Sequence, residues 1–172
     1  MEVPLLAKGN YYTTIIDDDC VMKLEVFDVF DESTPVNVNQ INTRAQGSEE
    51  FPPGNYTRTV RYTETINASS TNPRTFKAAW QVKFTIYVDS TYPKITYVSG
   101  FTELSNFPTT SAPSIKRAQA TSSTYAYAKA YAQNTVQTWD GYVRFLNMEY
   151  RVFNDDSGKA VVNMRKELRG TP

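Results

Sequence analysis

The sequence predicts an all-β protein, an antiparallel β-sandwich of roughly eight or nine strands that ends in a C-terminal meander. Two observations support this prediction. Apolar and polar residues alternate at period two through several segments, and clusters of turn-forming residues separate those segments. At 172 residues we expect one β-rich domain, residues 1–172, with long loops near 31–56 and 103–118.

The first part of the chain supplies three predicted strands and one long loop. A short apolar strand is expected at 11–16. Strand 20–30 has apolar side chains at both odd and even positions, which is typical of a central strand covered on both faces. Residues 31–56 hold three prolines and two glycines among polar residues, which predicts the loop. Strand 58–66 then alternates again.

The clearest predicted strand is 75–88, TFKAAWQVKFTIYV. Every even-numbered residue from Phe76 to Val88 is apolar, whereas the odd positions include lysine, glutamine and threonine. On a helix these apolar residues would scatter around the axis, so a strand is favoured. A turn then leads into strand 94–101, and the two prolines of 103–118 predict the second loop.

Residues 123–136, STYAYAKAYAQNTV, alternate alanine with tyrosine or lysine. Alanine and lysine also favour a helix, but the tyrosines would not form one stripe on it, so we favour a strand. If Asp140 and Gly141 form a two-residue hairpin turn, Tyr131 lies opposite Tyr150. That register predicts that the tyrosine side of this strand faces the core and the alanine side faces solvent.

The same register, continued through a turn at 154–159 that pairs Val152 with Ala160, sorts three strands into an apolar and a polar side. A slip of one residue would mix the two sets, so their separation supports a meander. The predicted apolar side is Tyr131, Leu146, Met148, Tyr150, Val152, Val162 and Met164, and the predicted polar side is Asn147, Glu149, Arg151, Asn163 and Arg165.

Tyr125 and Tyr127 are the candidate binding residues. The predicted register places them beyond the end of their partner strand, opposite Asn154 and Asp156. There they either pack under the loop near 103–118 or remain exposed. Exposed paired tyrosines would anchor a protein or a sugar surface.

The composition excludes several catalytic and metal sites. Without histidine the chain can form neither a Ser-His-Asp triad nor a His-ligated zinc centre. The single cysteine, Cys20, lies in an apolar run, so we expect a small buried residue rather than a nucleophile. Asp17, Asp18 and Asp19 are weak candidates for a hard cation, because a solvated turn explains them more simply. We predict no catalytic residue and no cofactor.

The leading functional hypothesis is a non-catalytic β-sandwich module, extracellular or on a virion surface, that binds a protein, a glycan or copies of itself. Lys+Arg and Asp+Glu both number 18, so we predict no nucleic-acid partner, and a homo-oligomer is permitted. We expect no signal peptide and no membrane-spanning segment in this chain. The alternatives are a membrane-inserting or pore-forming β-protein and a carboxylate-dependent enzyme acting on polysaccharide.

Overall fold

The computed structural model describes residues 1–4, 11–17, 20–27, 51–69, 71–100, 111–134 and 142–168. These ranges contain no helix and form two five-stranded antiparallel sheets with a shared core, which confirms the predicted β-sandwich. The strands are β1 (Glu2–Pro4), β2 (Tyr11–Asp17), β3 (Cys20–Phe27), β4 (Gly54–Ile66), β5 (Arg74–Ile86), β6 (Lys94–Gly100), β7 (Ser111–Arg117), β8 (Ala126–Asn134), β9 (Tyr142–Val152) and β10 (Gly158–Leu168).

The two sheets follow chain order. Strands β2 to β6 lie side by side in sequence order, and we call them the N-terminal sheet. The other sheet has the order β1-β10-β9-β8-β7, and we call it the C-terminal sheet. Strands β8, β9 and β10 pair consecutively and antiparallel, so the predicted C-terminal meander is confirmed.

Strand β7 corrects one prediction. Residues 111–117 were expected in the loop near 103–118 because of its prolines, but they form a strand. The strand lies at the edge of the C-terminal sheet and its pairing with β8 shifts register twice, so Pro113 is tolerated there. Residues 31–50 of the first predicted loop and 103–110 of the second lie outside the described residues.

The predicted alternation of 75–88 is confirmed in β5. The even-numbered side chains from Phe76 to Ile86 are buried, and the lysines between them are exposed. The strand ends at Ile86, however, so Val88, which the pattern placed on the core side, is 92% exposed. Whether a side chain is buried therefore depends on where the backbone pairing of the strand ends, as well as on the alternation of apolar and polar residues.

The face of β8 that enters the core is the opposite of the predicted one. Tyr131 pairs with Asn147, and it is Ala128 that pairs with Tyr150. This register differs from the predicted one by three residues, and an odd shift exchanges the two faces of a strand. Ala126, Ala128 and Ala130 are consequently buried, while the tyrosines and the lysine of β8 lie half-buried on the outer face.

The limited space in the core explains why alanine, and not tyrosine, occupies the inner face of β8. The Tyr150 ring lies edge to face with Trp80 of the facing sheet, with ring centroids 6.4 Å apart, and is 5.7 Å from Phe84. Because these large rings fill the interior, the neighbouring strand must contribute small side chains. Asp140 and Gly141, whose turn suggested the other register, lie outside the described residues.

Strands β9 and β10 present the predicted faces, although their register also differs. Gly158 pairs with Val152 where Ala160 was expected. This shift is of two residues, and an even shift leaves the faces unchanged. The predicted core residues of these strands are confirmed: Leu146, Met148, Tyr150, Val152 and Val162 are buried, and Met164 packs partly buried against them.

Backbone hydrogen bonds join the two sheets at one end of the sandwich. The Ile95 N–H donates to the Ala118 carbonyl at 2.7 Å, and the Ala120 N–H donates to the Pro93 carbonyl at 3.0 Å. Nearby, the Phe51 N–H donates to the carbonyl of Asp156 in the β9–β10 turn at 3.0 Å. These bonds connect the segment after β7 and the β9–β10 turn of the C-terminal sheet to the other half of the chain.

Candidate functional site

The outer face of the C-terminal sheet gathers aromatic and basic side chains. They occupy odd-numbered positions in or beside strands β7 to β10, and in β8 and β9 the even-numbered residues 126–130 and 144–152 beside them are buried. A cation lies against four of the rings, at distances from 4.8 Å (Arg165 to Phe145) to 5.8 Å (Lys159 to Phe153). We call this set the aromatic–basic face: Tyr125, Tyr127, Tyr131, Phe145, Phe153, Arg117, Lys129, Arg151, Lys159 and Arg165.

A depression of about 410 Å³ lies on one half of this face, across β8, β9 and β10. The rings of Tyr131 and Phe145 line it with their centroids 6.4 Å apart and their planes at 32°. Asn147 and Asn163 are direct cross-strand partners, so two amides lie beside the two rings. The full lining is Lys129, Tyr131, Phe145, Asn147, Asn163, Met164 and Arg165.

One polar atom of the depression is unsatisfied. The side-chain carbonyl oxygen of Asn147 is shielded from solvent and has no hydrogen-bond partner among the described residues. An unpaired buried acceptor costs about 1–3 kcal/mol, and most buried polar groups have a partner. Because this oxygen is shielded, a bound molecule can bond to it only after the Asn147 side chain moves.

The depression is lined by two cations and no carboxylate. Lys129 Nζ lies 3.7 Å from Glu149, but that carboxylate is held more closely by Arg151, whose Nε and Nη2 donate at 2.9 and 2.5 Å. Arg165 Nε lies 3.1 Å from Glu167. Both members of that pair are exposed, so it contributes little stability. Lys129 and Arg165 are thus both able to bind an added anion.

The sequence-predicted pair lies on the other half of the face. Tyr127 of β8 pairs with Arg151 of β9. The predicted register had instead placed Tyr127 beyond the end of its partner strand. Tyr125 precedes the strand, and its ring packs edge to face with Tyr127 at 5.6 Å and with Phe153 at 5.4 Å. Both tyrosines are half-buried. They share a surface with the depression, and their role in binding stays a prediction.

The acidic triplet forms no described site. Asp17 ends β2, while its side chain and the whole of Asp18 and Asp19 lie outside the described residues. Elsewhere in the described part of the chain, no group of three or more cysteine, aspartate or glutamate side chains is placed to hold a metal ion. A cation site at the triplet therefore stays a weak, untested prediction.

A buried ionic cluster inside the sandwich was not expected from the sequence. Glu64 of β4 is fully buried, and its Oε1 accepts a hydrogen bond from Arg144 Nε of β9 at 3.1 Å. Lys166 Nζ of β10 lies 3.6 Å from the same oxygen. The sequence did indicate that these two side chains point inward, because Glu64 lies two residues after the buried Tyr62 and Arg144 lies two residues before the buried Leu146. The cluster links the two sheets at the end opposite the Phe51 contact.

Cys20 is buried as expected, but its surroundings are polar. Its thiol donates to Glu64 Oε1 at 3.4 Å, and Lys166 Nζ lies 3.8 Å away. Burial, followed by the nearby Glu64 carboxylate, raises the pKa of Cys20 from an ordinary 9.0 to about 11. Burial and the same carboxylate raise the pKa of Tyr62 well above its ordinary value. At neutral pH the thiol is protonated and a poor nucleophile.

The fold and the face define an antiparallel β-sandwich with an aromatic–basic outer surface on one sheet. No family model, curated protein or solved structure matches the chain. Within the described ranges, no helix is long and apolar enough to cross a membrane.

Proposed function

We propose that the protein is a non-catalytic module that binds glycans through the aromatic–basic face, acting at an extracellular or virion surface. The observation that carries the proposal is the depression in which Tyr131 and Phe145 lie beside the amides of Asn147 and Asn163. A small number of polar groups around apolar walls is the usual composition of a ligand site.

The groups in the depression match the two kinds of surface on a sugar ring. A pyranose has an apolar C–H face, which packs against aromatic side chains such as Tyr131 and Phe145. Its rim of hydroxyls needs both donors and acceptors, and an amide side chain supplies both. The exposed side chain of Asn163 offers both to a sugar hydroxyl.

The distribution of exposed apolar residues supports a glycan over a protein as the ligand of this face. Protein interfaces are built around an apolar core. The rings of the aromatic–basic face are only half-buried and are interspersed with charges. The large exposed apolar side chains of the described residues lie elsewhere: Ile15, Ile16, Val88, Tyr92, Tyr97 and Leu168.

The ion pairs that Glu149 and Glu64 form with arginines support the non-catalytic assignment. Two-acid glycoside hydrolysis needs two carboxyl groups that face a common groove. Glu149 on the outer face is held by Arg151, and Glu64 lies inside the sandwich with Arg144. Asp28, Asp31 and Asp140 lie outside the described residues.

A glycan array followed by calorimetric titration of the best oligosaccharide tests the proposal. We expect Tyr131→Ala and Phe145→Ala each to weaken binding by roughly tenfold or more, because a packed aromatic anchor contributes at least about 1.4 kcal/mol. Tyr97→Ala is the matched control, since Tyr97 is an exposed aromatic that lies under Lys83 on the outside of the other sheet. It should leave the affinity unchanged.

Two results would contradict the proposal. One is an array on which no glycan binds above background. The other is binding that Tyr97→Ala weakens as much as the two variants of the depression do, with thermal unfolding showing all three variants folded. A molar mass that rises with concentration in light scattering, without glycan binding, would favour self-association instead.

A further inference from the structure

We infer that the glycan bound by this face is acidic, and that its carboxylate or sulfate group binds Lys129 and Arg165 at the depression. The inference rests on the proposed glycan-binding function and adds the charge of the ligand to it. Four observations carry it: the charges in the lining, the geometry of Arg165, the weak engagement of Lys129, and the separation of charge over the surface.

Arg165 is positioned to bind an anion. Its guanidinium lies over the Phe145 ring at 4.8 Å, and stacking of this kind fixes the plane of the group while leaving its N–H edges available. A fixed guanidinium edge matches the two oxygens of a carboxylate or sulfate. Its existing partner, Glu167, is 50% exposed, so a ligand anion can replace it at little cost.

Lys129 is the second cation of the lining. Its side chain is 39% exposed, and its nearest carboxylate, Glu149, is 3.7 Å away and already bonded to Arg151 at 2.5 Å. An ammonium group at this distance from a shared carboxylate keeps most of its capacity for a further anion. The amides of Asn147 and Asn163 lie beside it and can bind the neutral part of the same sugar.

The surface charge is separated although the total charge is zero. The chain has 18 basic and 18 acidic residues. On the aromatic–basic face the described side chains leave an excess of three positive charges, and such an excess attracts anionic ligands. The cations are Arg117, Lys129, Arg151, Lys159 and Arg165, and the carboxylates are Glu149 and Glu167.

The position of Glu149 favours an acidic glycan over a nucleic acid. Its carboxylate lies between Lys129 and Arg151, in the middle of the face. A phosphate backbone carries a charge on every nucleotide, so a strand crossing the face would bring phosphates against this carboxylate. An acidic sugar brings its charge only to Lys129 and Arg165 at the depression, and its hydroxyls can bond to Glu149 and to the rest of the face.

An array of neutral, uronic-acid and sulfated oligosaccharides tests the inference. We expect the strongest ligands to be acidic, with binding that weakens as salt is raised because exposed charges are screened. The best acidic ligand is then titrated beside its own carboxyl-reduced or desulfated form, which keeps the sugar and removes the charge. Loss of the charge should weaken binding by roughly tenfold or more. Whether the uronic-acid or the sulfated set binds identifies the acidic group.

Substitutions of Lys129 and Arg165 then test whether these two cations cause the preference for the acidic ligand. Lys129→Gln and Arg165→Gln should each weaken binding of the acidic ligand by about fivefold and leave binding of its neutral form nearly unchanged. Lys77→Gln and Lys83→Gln are matched controls, because both lysines are exposed on the outer side of the other sheet. The controls should alter neither affinity.

The outcomes separate this inference from the function on which it rests. If all ligands on the array are neutral, or if acidic and neutral forms bind equally, the inference is overturned while glycan binding stands. If no glycan binds, the proposed function fails as well. If a single-stranded oligothymidylate binds more tightly than every oligosaccharide, the inference is overturned in favour of nucleic acid.

Discussion

Glu64 shows how much depends on one buried side chain. It is fully buried and its Oε1 faces Arg144, Lys166 and Cys20, while its Oε2 has no hydrogen-bond partner among the described residues. A carboxylate in this position is stabilised by its two cations against the cost of leaving water. Removing its charge would leave those cations close together inside the sandwich.

We therefore expect Glu64→Gln to lower the free energy of unfolding by about 3 kcal/mol. Urea unfolding followed by tryptophan fluorescence measures it. Glu167→Gln is the matched control, since Glu167 forms an exposed pair with Arg165, and it should change stability by less than about 1 kcal/mol. Equal effects of the two substitutions would contradict the buried ionic cluster.

The thiol of Cys20 makes stability sensitive to alkaline pH. Its folded pKa of about 11 lies above the ordinary 9.0, so the unfolded chain loses this proton first. Stability from this group is complete below about pH 9 and falls as the pH rises toward about 11. Urea midpoints over this interval should fall less steeply for Cys20→Ala than for the unmodified protein. Parallel curves would show that Cys20 does not contribute.

At the scale of the element, β8 shows what a sequence pattern does and does not determine. Its alternation of alanine with tyrosine and lysine predicts a strand, and the strand is present. The alternation cannot say which side faces inward, because both alanine and tyrosine are acceptable on either face. That choice depends on the rings of Trp80, Phe84 and Tyr150, which fill the interior from other strands.

Substitutions at two adjacent positions of β8 test the observed register. Ala128 is fully buried, so Ala128→Leu should overpack the core and lower the free energy of unfolding by about 1–3 kcal/mol. Lys129 lies on the outer face, so Lys129→Leu should change it by less than about 0.5 kcal/mol. Thermal or urea unfolding measures both. A larger effect at Lys129 would support the register in which the tyrosine side faces the core.

The edge strands of the C-terminal sheet, β1 and β7, were the elements hardest to predict, whereas the edge strands β2 and β6 of the other sheet were predicted. The long, regularly alternating segments of β4, β5 and β9 follow from period two, because both faces of the sheet constrain them. Strand β7 contains a proline and an irregular register, which in the sequence resemble a loop. Only its position beside β8 and β6 shows that it completes a sheet.

At the scale of the whole molecule, the candidate site arises from register. Tyr131, Phe145 and Asn163 belong to three strands, and the pairing of β8 with β9 and of β9 with β10 brings them together. The sequence placed Asn163 and Arg165 on the outer side but assigned Tyr131 to the core. The binding role predicted for Tyr125 and Tyr127 stays a prediction, whereas the depression depends on the observed register and could not be predicted.

The sandwich also explains how a chain of zero net charge can present a charged face. Because successive side chains of a strand point to opposite faces, the polar residues of each strand point outward. The charges of neighbouring strands therefore collect on the same outer face of the sheet. The two sheets are joined by the hydrogen bonds around Ile95 and Ala120 at one end and by Glu64 and Arg144 at the other. The outer face therefore belongs to a sheet that is joined to the other sheet at both ends.

The most direct test of the central claim is to map the bound glycan onto the protein by nitrogen–proton NMR, which suits a chain of 19.5 kDa. Titration with the strongest oligosaccharide from the array should shift the amide signals of Lys129, Tyr131, Phe145, Asn147 and Asn163, and the side-chain amide signals of the two asparagines. Signals from the outer side of β5 should not move. Shifts confined to the N-terminal sheet, or absent from the depression at saturation, would contradict the account.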